Sequence, residues 1–166
     1  SVVSEGGQES QTGHPFEFGR EGATAADNTE ESFIALRAAA TLNSIVYRGK
    51  IIPLRFSLLV SGADCHWRLR YKPTTQTGVS WQAPVTHSGV ETDIATTAIA
   101  GGVVVDGGFI AAGQGNRSEG AVGSILQRLP LTLDADGSQT ISLALTIEGV
   151  GGTTTVHGSI GWEEVR

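Results

Sequence analysis

The residue types that most often bind metals are dispersed in this sequence. The segment 134–137, Asp-Ala-Asp-Gly, is similar to the start of a calcium loop, but Leu145 stands at the twelfth position, where such a loop needs a bidentate glutamate. We interpret the segment as a turn between two strands, and we predict neither a metal nor a cofactor. The four histidines are too far apart for a local metal site: they are His14, His66, His87 and His157.

Candidate nucleophiles give no stronger signal. Cys65 is the only cysteine, which excludes an intramolecular disulfide, and its alternation with Trp67 and Leu69 predicts a small core residue. Serines are numerous, but no Gly-x-Ser-x-Gly motif singles one out, and no pair of catalytic carboxylates is recognisable. The segment 113–118 lacks the last glycine of a dinucleotide-binding fingerprint. We therefore predict that the protein is not an enzyme.

The tryptophans leave a binding role open. An exposed indole can stack on the apolar face of a sugar ring, because it combines a flat apolar surface with a polar N–H. Trp81 lies on a short segment between loops and is the best candidate for such a platform. Trp67 and Trp162 alternate with aliphatic residues, so we expect both in the core.

The elements that would position these residues are short β-strands. Cys65–Lys72 alternates apolar with basic residues, which predicts a half-buried strand, whereas Pro53 restricts its segment to an edge, a bulge or a strand start. About eight such segments with turns between them are typical of an antiparallel β-sandwich of the jelly-roll kind. The segment Ser32–Ala40 could form a helix by its alanine content, with Asn28 or Thr29 as the cap, or a buried strand, and we favour the strand because the segments after it are strand-like. The predicted strands are Ser32–Ala40, Lys50–Val60, Cys65–Lys72, Val79–Val85, Val103–Ala111 with a turn or bulge at Asp106–Gly108, Leu129–Leu133, Gln139–Ile147 and Thr153–Val165.

Charge divides the chain into two parts. Residues 1–31 hold seven acids and one base and account for the whole net charge of −6, so residues 32–166 are formally neutral. We predict an extended, acidic and glycine-rich arm over residues 1–31 and a β-sandwich domain over residues 32–166. The arm either lies along the surface of its own domain or contacts a neighbouring subunit. Phe16 and Phe18 would project to one side of an extended arm, and we predict that they attach it to a scaffold or a neighbouring subunit.

The overall balance of charge and hydropathy excludes some partners. An acidic chain with a pI near 5.1 is not expected to bind nucleic acid, whose binding proteins carry basic surfaces. No apolar run is long enough to suggest a membrane span. The segments Val103–Val105 and Val156–Trp162 are apolar or small on both faces, which predicts an interface between copies of the chain.

Four stretches carry a resemblance to a known group of proteins. They are Trp67–Thr74, Gly101–Phe109, Leu129–Gly137 and Gly158–Arg166. Together they resemble small β-sandwich (jelly-roll) virion proteins of tailed bacteriophages, of the head-decoration, head-fibre and fibre-tip types. The similarity spans about residues 32–166, and its motifs are turns and strand ends, so no functional residue carries over.

The resemblance implies a trimer without enzymatic activity, docked on a capsid or tail scaffold through its N-terminal arm. We expect a virion structural protein of the capsid decoration (cement) type, with the major capsid protein or another virion scaffold protein as its partner. The alternative is a receptor- or carbohydrate-binding fibre tip, in which Trp81 and the polar loop 113–120 contact a host glycan. An esterase-like or glycan-processing sandwich ranks last, because it needs a triad or paired carboxylates.

Overall fold

The strands form from short segments in which apolar and polar residues alternate, and pairing between segments distant in sequence joins them into sheets. The computed structural model describes residues 13–118 and 129–165, with the backbone alone for 115–118. In these ranges every regular element is a strand: β1 (His14–Ala25), β2 (Glu30–Ala38), β3 (Thr41–Leu42), β4 (Ile45–Val46), β5 (Lys50–Tyr71), β6 (Thr75–Thr77), β7 (Val90–Asp93), β8 (Ala98–Ala100), β9 (Val103–Ile110), β10 (Gly115–Ser118) and β11 (Ser142–Val165). Within the described residues, no helix is long and apolar enough to cross a membrane.

The main sheet is built on the two longest strands, β5 and β11, which pair with each other along almost their whole length. The edge of β11 that faces away from β5 pairs with β2 over the first part of β11 and with β1 over the last part. The edge of β5 that faces away from β11 pairs with β10 over the first part of β5 and with β9 over the last part. β7 extends the sheet beyond β2, and all these ladders are antiparallel. The predicted all-β antiparallel class is confirmed.

This sheet folds back on itself. Phe56 and Trp67 both belong to β5, yet their ring centroids are 4.7 Å apart in an edge-to-face contact. A straight strand would place residues at this spacing about 35 Å apart, so β5 bends sharply between them. Gly62 lies in that interval with a φ of +84°, which a side chain rarely adopts. The neighbouring β11 shifts register opposite it, between Val150 and Thr154.

The fold-back creates two facing layers around one core. The first layer contains β1, the last part of β11, the first part of β5 and β10, and the second contains β2, β7, β9 and the remaining parts of β5 and β11. The core joins both layers, with Phe56, Leu58 and Ile160 from the first and Phe33 and Leu69 from the second. This arrangement is a sandwich made from one bent sheet.

Several strand predictions are confirmed. The segment Ser32–Ala40 lies largely within β2, and Cys65–Lys72 lies within β5 except for Lys72, with Cys65 and Leu69 buried as expected. Pro53 occupies the predicted kind of irregularity, because the register between β5 and β11 shifts next to its partner Trp162. β9 likewise contains a bulge, between its Val104 and Asp106 pairings.

Other strand predictions are wrong, and long-range pairing explains each case. The first strand begins at His14, ahead of Ser32, because β11 pairs with β1 along both sides of a bulge between Arg20 and Ala23. The segment Leu129–Leu133 contributes only a bridge between Leu131 and Ile51, so it does not pair with the next segment as a hairpin. The predicted turn at residues 134–137 does form, with the Gly137 N–H donating to the Asp134 carbonyl oxygen at 2.9 Å. β11 also continues through the glycines at 149–152 instead of ending there. Val79–Val85 contributes one bridge, from Gln82 to Thr92.

Close packing between the layers generates a first prediction. A Cβ on Gly158 would stand 2.4 Å from the Ser57 carbonyl oxygen and 3.1 Å from the Phe33 ring, so the backbone must move to accept it. We expect Gly158→Ala to lower the free energy of unfolding by about 1–3 kcal/mol, measured by urea denaturation.

The matched control is Gly19→Ala. Its Cβ would meet its nearest neighbour, the Gly158 carbonyl oxygen, at 3.6 Å, which is ordinary contact. We expect this control to keep the stability of the parent chain. Equal losses in the two variants would contradict the packing argument.

Candidate functional site

Phe16 and Phe18, the predicted attachment residues, lie on β1 opposite Trp162 and Ile160 of β11. Both rings are half-buried against the core of their own chain. The Phe16 ring stacks on the Trp162 indole with 6.3 Å between ring centroids and 25° between planes. The structure therefore assigns part of each ring to internal packing, and their role in attachment stays a prediction.

The described part of the arm is tied to the body by polar contacts as well. The Arg20 guanidinium donates to the backbone carbonyl of Phe33 (2.7 Å) and lies over the Phe33 ring at 5.7 Å. The Gly13 N–H donates to the Glu163 carboxylate at 2.7 Å. Residues 13–25 thus form an edge strand of the sandwich, and the division of the chain at residue 31 stays a prediction.

A fully buried carboxylate, that of Glu164, lies near the end of β11. It accepts hydrogen bonds from the Gly89 N–H (3.0 Å), the Trp162 Nε1–H (3.1 Å), the Tyr47 hydroxyl (3.3 Å) and the Ser88 hydroxyl. These donors come from three separated parts of the chain. The carboxylate therefore joins the end of β11 to the loop before β7 and to the segment after β4, in a place that solvent does not reach.

Trp81, the predicted sugar platform, is half-buried rather than exposed. Its indole packs against a small apolar cluster formed by Ala35, Ile99 and Ala144 on the outer side of the second layer. The Arg37 guanidinium lies 4.5 Å from the ring centroid and so covers part of the ring. The expectation of a freely exposed indole is thereby corrected, while its role in binding stays a prediction.

A network of charged side chains crosses the outer surface of the second layer. Glu30 on β2 receives two hydrogen bonds from Arg70, at 2.7 and 3.1 Å, and one from the Thr146 hydroxyl at 2.7 Å. Arg68 bridges Glu30 (3.4 Å) and Glu148 (3.1 Å). The network links β2, β11 and β5 on the outer face of the sheet. The opposite face of these strands packs on the main core.

The electrostatic environment of this network favours the charged form of Glu30. Burial alone would raise the pKa of Glu30, but the hydrogen bonds from Arg70 and Thr146 and the charges of Arg70 and Arg68 outweigh burial and lower it. Burial and the charge of Arg68 lower the pKa of His66 despite the opposing charge of Glu148. His66 is therefore mainly neutral at pH 7.

The other titratable candidates are held by their own surroundings. The Asp134 carboxylate accepts hydrogen bonds from the Thr140 and Ser138 hydroxyls, which lower its pKa, and Asp136 accepts one from the Ser138 N–H at 2.9 Å. Cys65 is buried as predicted, and burial raises the pKa of its thiol. In the described ranges, no three His, Cys, Asp or Glu side chains are grouped as a metal site.

Two exposed apolar surfaces stand out. The first, which was not predicted, is the hairpin of β3 and β4, where Ile45 and Val46 are 73% and 52% exposed beside a cleft of about 320 Å³. The second is β9, where Val103 and Phe109 are 61% and 68% exposed. This strand contains the segment Val103–Val105 that the sequence predicts to lie between copies of the chain, and that role stays a prediction. A sequence signal existed for the hairpin, because Asn43 and Ser44 between Leu42 and the apolar pair Ile45–Val46 suit a two-residue turn.

Comparison with known proteins leaves the family open. No family model matches the chain, and no curated protein matches it. Among solved structures, a chain in the structure of infectious bursal disease virus, Gx strain, is 13% identical over 92% of this protein with a TM-score of 0.28. A chain from the Gt strain of the same virus is also 13% identical, over 94% of this protein, with a TM-score of 0.17. This protein spans 29% and 39% of those chains, respectively.

The charged network generates a prediction about pH. Because the folded-state pKa of Glu30 lies below its ordinary value of 4.5, its contribution to stability is present above that value and is lost as pH falls through the lower, folded-state pKa. We expect Glu30→Gln to lower the free energy of unfolding by about 1–3 kcal/mol at pH 7. The difference from the parent chain should shrink below about pH 4.5.

The measurement is urea denaturation of both chains at a series of pH values. Glu21→Gln is the matched control, because Glu21 is exposed and we expect little change at any pH. A difference between Glu30→Gln and the parent chain that stays constant from pH 7 to acid would contradict the prediction.

Proposed function

We propose that this protein is a non-enzymatic virion structural protein of the bacteriophage capsid-decoration type, which attaches through its N-terminal segment and oligomerises through the β-sandwich, as a trimer. The proposal joins the sequence resemblance to the antiparallel sandwich that the chain forms. It places the protein on the capsid surface, with the major capsid protein or another scaffold protein as partner.

The observation that carries the proposal is the distribution of exposed apolar side chains. They are concentrated on the β3–β4 hairpin and on β9, where Ile45, Val46, Val103, Val104 and Phe109 are all about half exposed or more. Exposed apolar residues grouped in this way are typical of surfaces that contact other proteins. The β9 surface is part of the main sheet, and the β3–β4 surface is a separate two-stranded hairpin.

The buried polar groups support the same conclusion. Glu164 and Asp93 are fully buried, and each is bound by backbone N–H groups and hydroxyls of nearby loops. The Asp93 carboxylate accepts from the Ser80 N–H at 2.8 Å and the Ala95 N–H at 3.1 Å. These carboxylates stabilise loops and do not face a cleft, which favours a structural role over a catalytic one.

Attachment through the N-terminal segment is testable by truncation. Deleting residues 1–31 would remove β1 and uncover Trp162, so the deletion should end at residue 12. We expect the chain without residues 1–12 to keep the thermal unfolding midpoint of the parent and to occupy particles at a strongly reduced level. The level is measured by comparing band intensities of purified particles on a gel.

The control for that experiment is a chain in which residues 1–12 are kept but shuffled in order, so that the charges of Glu5 and Glu9 remain. Particles that contain the truncated chain at the normal level would contradict attachment through this segment.

A further experiment separates decoration from receptor binding. A decoration protein binds only the assembled shell and therefore stabilises it, so particles without this protein should release their genome at lower temperature and still adsorb to the host. We expect that result. Unchanged release combined with lost adsorption would favour the fibre tip instead.

Trp81→Ala sharpens the same comparison. If the indole stacks on a host glycan, this variant should reproduce most of the adsorption loss, whereas a decoration protein should adsorb normally with it. Val79→Ala is the matched control, because Val79 is an exposed apolar residue of the same loop region. The thermal unfolding midpoint of each purified variant shows whether the fold is kept.

A further inference from the structure

The tip of the β3–β4 hairpin is formed by Asn43 and Ser44. Both residues are exposed, and both have positive φ values, of 52° and 66°. This turn joins strands that pair at Thr41–Val46 and Leu42–Ile45, in a sheet separate from the main one. An asparagine before a small residue is chemically fragile, because attack by the next backbone nitrogen on its side-chain carbonyl carbon closes a five-membered ring.

The two reacting groups at this turn are not held by other contacts. Within the described residues, neither the side-chain amide of Asn43 nor the N–H of Ser44 makes a hydrogen bond. The Ser44 side chain is small and unbranched at Cβ, so it leaves the backbone nitrogen accessible. Neither hydrogen bonding nor crowding therefore opposes ring closure at this position.

Ring closure requires the turn to leave its folded geometry, and the structure makes that opening easy. A two-stranded hairpin is marginally stable by itself. Here Thr41, Ile45 and Val46 are all exposed, and segments with few buried apolar contacts open locally at little cost in free energy. The buried Tyr47 fixes the base of the hairpin, so only the tip needs to open.

We propose that Asn43 is a site of spontaneous deamidation. The Ser44 backbone nitrogen forms a bond to Cγ of Asn43, the bond from Cγ to the side-chain nitrogen breaks, and ammonia leaves with the proton of the Ser44 N–H. Water then opens the cyclic imide that results. Cleavage of the ring at Cγ gives an ordinary aspartyl residue, and cleavage at the backbone carbonyl gives an isoaspartyl linkage through Cβ. Water is the only co-reactant.

The chain contains a matched comparison in Asn28. This residue is also exposed and also has a positive φ, of 53°. It is followed by Thr29, whose branched Cβ crowds the nitrogen that would attack. That nitrogen donates to the Ala26 carbonyl oxygen at 3.2 Å, and the Asn28 N–H donates to the Gly149 carbonyl oxygen at 3.0 Å. Asn28 thus has the exposure of Asn43 without the free nitrogen.

The reaction changes the surface that the hairpin offers. It places a negative charge beside Ile45 and Val46, which are 73% and 52% exposed. An isoaspartyl linkage also adds a carbon to the backbone of the turn and so disturbs the pairing of Leu42 with Ile45. Burying a charge in an apolar contact is costly, so the converted chain assembles poorly. This last step rests on the proposed function, in which the hairpin contacts other proteins.

The first test is incubation of the purified chain at neutral and at mildly alkaline pH, followed by peptide mapping with mass spectrometry. Loss of ammonia and gain of water raise the mass of the converted peptide by about 1 Da. We expect Asn43 to convert at least about tenfold faster than Asn28, a difference of about 1.4 kcal/mol in the barrier. The rate should rise with pH, because the attacking nitrogen must lose its proton.

Two results of this test would overturn the proposal. The first is conversion of Asn43 that is no faster than that of Asn28. The second is a converted chain without isoaspartyl linkages, because direct hydrolysis of the side-chain amide gives aspartyl residues alone.

The second test compares fresh with fully converted protein in the occupancy of particles. We expect the converted parent chain to occupy particles at a strongly reduced level. Asn43→Gly is the matched control, because it suits the positive φ and has no side-chain amide, and its occupancy should be equal before and after incubation. The thermal unfolding midpoint of each sample shows that the body is folded.

The two proposals fail in different ways. Complete conversion at Asn43 with unchanged occupancy would overturn the loss of assembly and count against the hairpin as an assembly contact. Fresh parent chain that does not occupy particles would overturn the proposed function, whereas the site of deamidation is decided by the peptide mapping alone.

Discussion

Pairing between β5 and β11 is the interaction on which the rest of the molecule depends. Both strands run through both layers, so their ladder carries the sheet across the fold-back and aligns the two halves of the core. β1 and β2 pair with β11, β9 and β10 pair with β5, and β7 joins the sheet through β2. The contact of Phe56 with Trp67 shows the consequence, because a single strand supplies side chains to both walls of the core.

The fold-back sets a strict requirement on backbone geometry. At the turn of β11, a Cβ on Gly149 would stand 2.1 Å from the Gly152 carbonyl oxygen, so only glycine allows the strands to approach this closely. Gly62 meets the same requirement on β5 through its positive φ. Glycines in this chain therefore occur where long strands change direction as well as where strands end.

Polar groups divide into two sets. Those at the closed parts of the molecule, such as Glu164 and Glu30, are bound by several donors and hold separate strands and loops together. Two other buried polar atoms, Oδ2 of Asp106 and Nε1 of Trp67, have no hydrogen-bond partner among the described residues.

Local pattern was sufficient to predict the class of fold and much of its core. Strict alternation identified the strand from Cys65 to Lys72 and placed Cys65 inside, because a side-chain period of two follows directly from strand geometry. Pro53 could be predicted near a bulge, since it cannot donate to a ladder. These are properties of a few consecutive residues, and the folded chain keeps them.

Only the tertiary structure decided which segments pair and which surfaces remain open. The strand β1 carries a weak local pattern among glycines and acids, and it forms because β11 supplies its partners more than a hundred residues away. The segment at 149–152 has the composition of a turn that ends a strand, but β11 pairs with β5 on both sides of it and so continues through it. Trp81 lies on a short segment between loops, where an exposed platform was expected, but Arg37 and the cluster of Ala35, Ile99 and Ala144 cover part of its ring. Sequence alone determined the alternation of each strand, whereas exposure depends on distant neighbours, which local pattern does not encode.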